Sequence, residues 1–443
     1  MHKKLTLLLL LLLSFSSLDA AYMLKESKRV KSKIDRMPKN KVADMKRIPQ
    51  NPAYYASQIK PFSKSKQKKL DKEFNKKYFK PWSISKLDIP KKDFGWEVRF
   101  ITKKRIYRAK GSVIRASVYN KWINNAHYEH INSKKYKAIT VRRTNVKALP
   151  TSASFYRDPK KTGEGFPFDY NQSSALHINI PLIISHYSRD KRWAFVQASY
   201  SFGWVKTSDL ALVTNDFIKK FKNNNYAMVI KDNLRLFHDK KDISLVKLGA
   251  LFPISKDGKH YLVATRNAKG HARLEKVIAT KTNILAKKPL PFTPKNVAMI
   301  AREFYGEPYG WGGSYECRDC SATTRDFLGP FGIFLRRNSG AQAKDGKRIN
   351  IRGLSKAKKK KKIIQKAEPF RSLLHVAGHI VLYLGHYKNE PIIMHTYWGI
   401  RKKDRTKLIT GRTIITSTEP GKERSDIREG SKLINTLTSI VNF

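Results

Sequence analysis

Cysteine is scarce in this sequence: only Cys317 and Cys320 occur among its 443 residues. Two thiols so close together exclude a disulfide framework and are too few for a four-cysteine zinc site. Acidic residues are scarce as well, because 34 Asp and Glu stand against 91 Lys and Arg and the formal net charge is +57. Such a chain is attracted to polyanions, which include nucleic acid, acidic membranes and carboxylate-rich cell walls.

Long apolar runs are missing after the N-terminus, and the one at the N-terminus is short. It extends from Leu5 to Leu13, follows two lysines and precedes small residues that end at Ala20 or Ala21. This layout predicts a cleaved signal peptide over residues 1–21, since a membrane span needs about 20 apolar residues. We therefore expect export to the periplasm or cell envelope, without stable membrane insertion after signal cleavage. Export argues against nucleic acid as the partner, and we expect a monomer.

The residue pattern changes along the chain and predicts an α+β protein. Residues 22–126 predict a polar, lysine-rich N-terminal arm followed by a helical segment, with one helix in RASVYNKWINNA. Short alternating runs between polar turns predict two small β-barrels, over residues 127–215 and 216–286. After the proline-rich stretch KKPLPFTPKN, residues 287–443 have mixed patterns that begin with a helix capped by Thr293.

The two cysteines suit a redox pair, part of a metal site, or a nucleophile beside an unrelated thiol. A redox pair opens a helix after a β-strand, whereas the glycine turn EPYGWGGSYE precedes these cysteines. A zinc site needs three or four ligands, and the sequence offers no second pair. Asp319 can cap the helix CSATTRDFL, which places Cys320 in the first turn, where the helix N-terminus lowers a thiol pKa. Cys320 is therefore the better nucleophile, since Cys317 lies outside this helix.

A nucleophilic thiol needs a base, and the segment GHIVLYLGHYKNEPIIMHTYWG contains the candidates. It predicts a β-hairpin with strands His379–Leu384 and Ile392–Thr396. A turn centred on Tyr387 would place His379 directly opposite His395, on the same face of the ladder. Two such histidines suit the base and the orienting group of a Cys-His-His triad. Two unrelated strand histidines are the alternative, and a slip of one residue would turn His395 away.

Four segments in order, PYGWGG, RDCSATTRDFLGPFGIFLRRNS, GHIVLYLG and MHTYWGI, resemble the NlpC-type, papain-like cell-wall cysteine peptidases. The likeness is closest to the subgroup in which an N-terminal stabilising segment and two bacterial SH3-like domains precede the catalytic domain. The resemblance implies a papain-like domain at residues 287–443, with Cys320 as nucleophile, His379 as general base and His395 as the orienting residue. It implies neither a metal nor a cofactor.

The resemblance also implies substrate-binding roles for Tyr309, Asp319 and Ser321. Two features depart from the usual motif: Ala322 stands where many relatives have glycine, and Cys317 is an additional cysteine.

Enzymes of this family cleave peptidoglycan stem peptides, commonly at the γ-D-glutamyl bond to meso-diaminopimelate, in wall remodelling or turnover. Peptidoglycan or its muropeptides are therefore the expected partner. An acyltransferase or amidase on the same scaffold, or a non-catalytic wall-binding protein, are the alternatives. Glu164 and Asp169 are further candidates to meet a substrate amine. The lysine run SKAKKKKKIIQK predicts a solvated loop.

Overall fold

The computed structural model describes residues 39–90, 93–232, 234–238, 241–279 and 284–443. The predicted signal peptide and the first part of the predicted N-terminal arm lie outside these ranges. Helices and antiparallel sheets are combined in the described residues, so the prediction of an α+β protein is confirmed. Within the same ranges no helix is long and apolar enough to cross a membrane.

The helices are short, and most lie near the N-terminus or in the C-terminal third. The described residues contain α1 (Asp44–Arg47), α2 (Pro52–Ala56), α3 (Lys64–Tyr78), α4 (Trp96–Lys103), α5 (Ala116–Asn125), α6 (Asn215–Phe221), α7 (Pro294–Phe304), α8 (Cys320–Leu328), α9 (Ser339–Gln342), α10 (Lys356–Lys366) and α11 (Leu433–Thr436). The helix predicted in RASVYNKWINNA is α5, so that prediction is confirmed.

The described strands form four antiparallel sheets. In chain order they are β1 (Tyr136–Thr140), β2 (Thr144–Lys147), β3 (Gln172–Leu176), β4 (Pro181–Tyr187), β5 (Trp193–Ala198), β6 (Phe202–Lys206), β7 (Leu210–Leu212), β8 (Tyr226–Val229), β9 (Leu234–His238), β10 (Lys241–Val246), β11 (Leu251–Pro253), β12 (Tyr261–Arg266), β13 (Ala272–Ala279), β14 (Leu285–Lys287), β15 (Lys347–Asn350), β16 (Ser372–Val376), β17 (His379–Tyr387), β18 (Glu390–Arg401), β19 (Lys407–Ser417) and β20 (Leu437–Asn442). The sheet orders are β3-β2-β6-β5-β4-β1-β7, β10-β9-β13-β12, β11-β8-β14 and β15-β20-β16-β17-β18-β19.

The N-terminal helices pack directly on the C-terminal domain. Asp44 accepts hydrogen bonds from the backbone N–H and the hydroxyl of Ser417, at 2.8 and 2.7 Å. Gln58 donates to the carbonyl of His386 at 2.8 Å. The polar arm expected at the start of residues 22–126 therefore includes two short helices, α1 and α2, which cover one side of the six-stranded sheet.

The seven-stranded sheet packs on an apolar core that also receives aromatic side chains from the preceding helical segment. Phe74 and Tyr78 of α3 and the neighbouring Trp82 are buried in this core. The indole N–H of Trp82 donates to the carbonyl of Ala138 at 2.8 Å. The alternating run RWAFVQA becomes β5, as the period of two predicts.

Strands β8 to β14 form the two smaller sheets, which share a core of Val229, Val246, Phe252 and Val263. The segment KDGKH forms a turn between β11 and β12, and Gly258 adopts a left-handed φ of +69° there. The N–H of Gly258 donates to the carbonyl of Ser255 at 2.9 Å, which closes the turn.

In the C-terminal domain the six-stranded sheet is covered on both faces. Helices α7 and α8 pack on one face, against alternate residues of β17 such as Ile380 and Leu382. Helices α10 and α11 pack on the other, against Val381 and its neighbours. The predicted N-cap of α7 is confirmed, because the hydroxyl of Thr293 accepts from the backbone N–H of Asn296 at 3.3 Å.

The lysine run is a helix, so the prediction of a solvated loop was wrong. Ser355 caps α10, and Ile363 on its inner face is fully buried. Lys359 is buried as well, and its ammonium donates to the carbonyls of Ile434 and Asn435 at 2.8 and 3.0 Å. A helix forms because one face finds apolar and carbonyl partners, Lys356 and Lys360 pair with glutamates, and lysines such as Lys358 and Lys361 are exposed to water.

A buried network of charges joins residues of 127–215 and of 216–286 to the C-terminal domain. The guanidinium of Arg318 forms two hydrogen bonds with Asp232, at 2.6 and 2.8 Å, and a third with Asp326 at 2.7 Å. Glu307 lies 3.0 Å from the same guanidinium. Asp326 also meets the ring of His177 at 3.2 Å. Arg318 therefore neutralises carboxylates from two different parts of the chain.

Replacing Arg318 with alanine is expected to lower the free energy of unfolding by about 3–5 kcal/mol, because three buried carboxylates would share only Lys247 and Arg325 as cations among the described residues. Urea denaturation of the purified variant measures this loss. The matched control is Arg424→Ala, which removes an exposed pair with Asp426 and is expected to change stability little. An Arg318→Ala protein as stable as the wild type would contradict the role given to the network.

Candidate active site

Helix α8 begins at Cys320, and Asp319 is its N-cap as predicted. The carboxylate of Asp319 accepts from the backbone N–H of Ala322 at 3.0 Å and from the hydroxyl of Ser321 at 3.1 Å. It also accepts from the backbone N–H of Gly312, at 3.1 Å, in the glycine turn that precedes the helix. One carboxylate thus fixes both the helix start and the turn beside it.

Arg337 is a residue of this site that sequence reasoning missed. Its guanidinium bonds to the carboxylate of Asp319 and to the hydroxyl of Ser321. Burial is the largest single effect and raises the pKa of Asp319, but the charge of Arg337 and the hydrogen bonds from Arg337, Ala322 and Ser321 together outweigh it. The net shift is downward, so the carboxylate stays ionised. Arg337 stands in the quoted segment FLRRNS, and nothing in that segment distinguishes it from its neighbours.

The thiol of Cys320 is not acidic in the free protein, which corrects the prediction of a lowered pKa. Burial, and then the charge of Asp319, raise the pKa of Cys320 to about 12. A backbone hydrogen bond from Ile380 and the charge of Arg337 act in the opposite direction and are weaker. The helix N-terminus therefore does not by itself make this sulfur a thiolate.

The register of the β17–β18 hairpin differs from the predicted one by two residues. Tyr387 pairs with Glu390 around a two-residue turn at Lys388 and Asn389, both with positive φ, and a bulge follows at Leu384. Beyond the bulge Leu382 pairs with Met394. Continuing this ladder places His379 opposite Tyr397, so the predicted direct pairing of the two histidines was wrong.

The two histidines nevertheless meet, because a shift of two residues keeps side chains on the same face of a strand. The Nε2 atom of His379 lies 3.1 Å from Nδ1 of His395. The Nε2 atom of His395 lies 3.2 Å from the hydroxyl of Thr416, on β19. The ring of Tyr397 stacks on that of His395, with centroids 4.6 Å apart. Both imidazoles are therefore held by neighbours on the sheet.

Both imidazoles are neutral at physiological pH. Burial lowers the pKa of His379 to about 4, against the smaller opposing effect of Asp319. Burial, and then the neighbouring His379, hold the pKa of His395 well below its usual range.

The start of β17 lies against the start of α8. The hydrogen bond from the backbone N–H of Ile380 reaches the thiol of Cys320, and Ile380 directly follows His379. The charge of Asp319 acts on both Cys320 and His379. Because Nε2 of His379 faces His395, Nδ1 is the nitrogen left to meet a thiol.

Aromatic rings from two domains flank this region. Tyr309 is buried, and its ring packs against Trp398 and Phe168, with centroids 5.7 and 5.9 Å apart. Burial, followed by the charges of Cys320 and Asp319, raises the pKa of Tyr309 well above its usual range. Phe168 belongs to the first barrel region, so that region supplies part of the wall beside Tyr309.

The other sequence candidates bond to groups of their own, although Cys317 packs in the same cluster as Tyr309 and Phe168. Cys317 precedes α8, and its thiol donates to the carbonyl of Tyr315 at 3.2 Å. Asp169 accepts from the backbone N–H groups of Phe155 and Asn171, at 3.1 and 2.9 Å, so its carboxylate is occupied within its own loop. Among the described residues, the group spaced to hold a metal ion is His127, Glu129 and His130, outside this site.

Acidification is expected to destabilise the protein between about pH 6.5 and pH 5, because the buried histidines are neutral in the folded protein and protons bind more readily to the unfolded chain. Burial lowers the pKa of His186 and of His379 to about 4, and lowers that of His177 and His395 as well. A depressed pKa means that the unfolded chain binds more protons in this window, so falling pH favours unfolding by about 1 kcal/mol for each histidine.

Urea denaturation at pH 7.5 and pH 5.5 measures this effect. His186→Gln is expected to reduce the pH dependence, while His271→Gln, at an exposed position, leaves it unchanged. Equal unfolding free energies at the two pH values would contradict the expectation.

Three family models match this sequence. The NLPC_P60 stabilising domain, N term, matches residues 7–130, the SH3 domain of SH3b1 type matches residues 154–206, and the NlpC/P60 family matches residues 306–407. The chain therefore contains an NlpC/P60 domain, preceded by one SH3-type domain and a stabilising domain. A second SH3-like domain at residues 216–286 stays a prediction. A search of curated proteins finds no match.

Solved structures share the fold. The structure of an NlpC/P60 endopeptidase from Photobacterium damselae subsp. piscicida has a TM-score of 0.80 and 23% identity, over 92% of this chain and 98% of that chain. An NlpC/P60 family protein from Bacillus cereus ATCC 10987 has a TM-score of 0.45 and 16% identity, over 69% of this chain and 99% of that one. At 23% identity the first likeness establishes the shared fold, and the second is too distant to add to it.

Proposed function

We propose, from the NlpC/P60 domain at residues 306–407, that this protein is a peptidoglycan endopeptidase of the cysteine type. The bond that it cleaves is the γ-D-glutamyl linkage to meso-diaminopimelate in the stem peptide. It acts in the periplasm or cell envelope. The observation that carries the proposal is the histidine pair, His379 and His395, held beside the start of the helix that carries Cys320.

The resting site is a neutral thiol beside a neutral imidazole. Cys320 Sγ attacks the carbonyl carbon of the scissile amide while its proton passes to Nδ1 of His379. A site that begins neutral needs no buried thiolate, which accords with the raised pKa of Cys320 and the lowered pKa of His379. Proton transfer and attack are therefore coupled in this mechanism.

His395 orients the base. For Nδ1 of His379 to receive a proton, its Nε2–H must donate to Nδ1 of His395, and the Nε2–H of His395 then donates to the hydroxyl of Thr416. The hydroxyl of Thr416 in turn donates to the carbonyl of Ser417 at 2.8 Å. This chain of donors fixes one tautomer of the base and stabilises the imidazolium that forms.

The tetrahedral intermediate formed by this attack loses the amine, and the resulting thioester is then hydrolysed. Each stage includes a proton transfer through His379. His379 gives its proton to the departing amine of diaminopimelate, which leaves the γ-glutamyl group as a thioester on Cys320. Water then attacks the thioester carbonyl, passes a proton to His379, and the thiol of Cys320 recovers it as the free carboxylate departs. The backbone N–H of Cys320, at the start of α8, donates to the oxyanion, and one such donor contributes about 2.7–4 kcal/mol in other enzymes.

Residues around the thiol have supporting roles in this proposal. Asp319, Ser321 and Arg337 hold the helix start, while the rings of Tyr309 and Phe168 flank the substrate cleft. Because Phe168 comes from the first barrel region, that region narrows the cleft and favours short stem peptides over cross-linked wall.

Mass spectrometry of purified muropeptides after incubation with the mature protein tests the assigned bond. The expected products are a disaccharide that carries L-Ala-D-Glu and a peptide that begins with diaminopimelate. Release of the intact stem peptide from the sugar would instead identify an amidase, and transfer of an acyl group to an added amine would identify a transferase. Unchanged muropeptides and unchanged free stem peptides would reject the hydrolase.

A further inference from the structure

Helix α3 carries a row of lysines on its solvent-facing side. Lys64, Lys68, Lys72 and Lys76 are all exposed and follow one another at intervals of four residues. Residues at this spacing lie on the same face of an α-helix, about 6 Å apart along its axis. The four side chains, which we call the lysine row, therefore extend over about 18 Å of the protein surface.

The positive charge of the lysine row is not compensated. No carboxylate among the described residues forms an ion pair with any of the four lysines. Asp71 of α3 pairs with the buried Lys288 instead. Glu73 is exposed beside the row, and the equally exposed Lys69 offsets its charge. This face of α3 therefore presents an excess of positive charge to the solvent.

The opposite face of α3 is fixed to the rest of the protein. Phe74 and Tyr78 are buried in the core beneath the seven-stranded sheet. The side-chain amide of Gln67 donates to the carbonyls of Leu290 and Phe331, at 2.7 and 3.1 Å. The backbone of the helix is thus held from two sides, and the lysine row is an array of cations at fixed positions.

The outer face of α3 lacks the groups with which proteins bind polyanions of defined shape. Nucleic-acid bases are commonly bound by stacking on aromatic rings, but the aromatic residues of α3 that end its inner face, Phe74 and Tyr78, are buried. Arginine is preferred where a phosphate is bound in a defined geometry, and α3 contains no arginine. Lysines alone are point charges on flexible stems. Such a row suits a partner whose own charges can move to meet it.

We propose that the lysine row docks the exported protein on a membrane surface that contains anionic phospholipids. Anionic headgroups attract clusters of lysines, and they diffuse in the plane of the bilayer toward a fixed row of cations. The docking is peripheral and reversible, because α3 exposes no large apolar side chain that could enter the acyl region. The inference goes beyond the proposed hydrolase and depends on the expected export only for the membrane that the protein meets.

Cosedimentation of the full mature protein with lipid vesicles tests the docking. Vesicles of phosphatidylcholine with about one third phosphatidylglycerol are expected to bind the protein, and added salt is expected to weaken the binding. Vesicles of phosphatidylcholine alone are expected to bind at least about tenfold more weakly. The quadruple variant Lys64→Gln, Lys68→Gln, Lys72→Gln, Lys76→Gln is expected to lose at least about tenfold in affinity for the anionic vesicles.

A matched control removes the same amount of charge elsewhere. Lys135→Gln, Lys256→Gln, Lys259→Gln, Lys269→Gln changes four exposed lysines outside α3 and is expected to bind within about threefold of the wild type. Glutamine forms helices about as readily as lysine, so α3 is expected to persist in the lysine-row variant, which circular dichroism checks. That variant is also expected to cleave free stem peptides like the wild type, so docking and the proposed hydrolysis are tested separately.

Three results would overturn the proposal. The first is absence of binding of the folded wild type to anionic vesicles, and the second is equal binding to neutral and anionic vesicles. The third is an equal loss of affinity in the lysine-row variant and in the control. Loss of binding to purified wall sacculi by the lysine-row variant, with vesicle binding retained, would assign the row to the wall polymer instead.

Discussion

Replacement of Cys320 by alanine is expected to abolish cleavage of muropeptides, with a fall of more than about 10⁴-fold in kcat/KM. Without the sulfur no thioester can form, and the remaining groups can only polarise the substrate. The fold is expected to persist, because alanine retains the helix and Asp319 still caps it through Ala322. Product release followed by mass spectrometry measures the activity, and circular dichroism checks the fold.

The second cysteine supplies a matched control. Cys317 is buried like Cys320, and burial raises its pKa to about 12 as well, but its thiol bonds to the carbonyl of Tyr315. Cys317→Ala is therefore expected to keep activity within a few-fold of the wild type. Cleavage by a Cys320→Ala preparation free of other hydrolases would show that Cys320 is not the nucleophile.

His379→Ala is expected to lower kcat by about 10²–10⁴-fold, the range that general-base catalysis contributes. The thiol pKa of about 12 makes the base necessary, because Cys320 alone is a thiolate too rarely at pH 7 to react. His395→Ala is expected to have a smaller effect, since that ring orients the base without receiving the proton of the thiol. Steady-state kinetics with a purified muropeptide separates the two.

His375 is the control for this pair, because it lies on β16 and its Nδ1 bonds to the hydroxyl of Thr438 at 2.8 Å. His375→Ala is expected to lower kcat less than either of these substitutions, because its effect on the pKa of His379 is smaller than those of burial and Asp319. A larger loss of kcat for His395→Ala than for His379→Ala would assign His395 as the base and His379 as the orienting residue.

Local patterns in the sequence predicted individual elements well. Thr293 and Asp319 were identified as caps from residue type and the apolar spacing that follows them, and both side chains accept the expected backbone N–H. Caps are local interactions, so a short stretch of sequence is enough to determine them.

The register of the β17–β18 hairpin could not be predicted from the sequence. The turn occupies Lys388 and Asn389 with left-handed φ values of 48° and 59°. A lysine in the sequence does not predict this conformation, which favours glycine and asparagine. The bulge at Leu384 then adds one residue to β17, and Gly385 beside it has a φ of 136°. These two effects moved the pairing by two residues and left both histidines on one face.

The pKa of the Cys320 thiol and the charged partners of Asp319 and Arg318 are set by tertiary contacts. A helix N-terminus favours an anion, but burial and the carboxylate of Asp319 outweigh it at Cys320. The partner of Asp319 is Arg337, 18 positions later in the chain, and the partner of Arg318 is Asp232, 86 positions earlier. No spacing rule links such pairs, because the sheet and the barrel region bring them together.

The distance between Sγ of Cys320 and Nδ1 of His379 in a crystal structure of the protein tests the catalytic assignment most directly. His379 is the first residue of β17 and shares its strand face with Val381, on the α10 side of the sheet. Its ring must therefore pass the beginning of the strand to reach the start of α8. The assignment predicts a separation of about 4 Å or less, close enough for a thiol to donate its proton. A ring of His379 turned toward α10 in both free and substrate-bound crystals, beyond the reach of the sulfur, would contradict it.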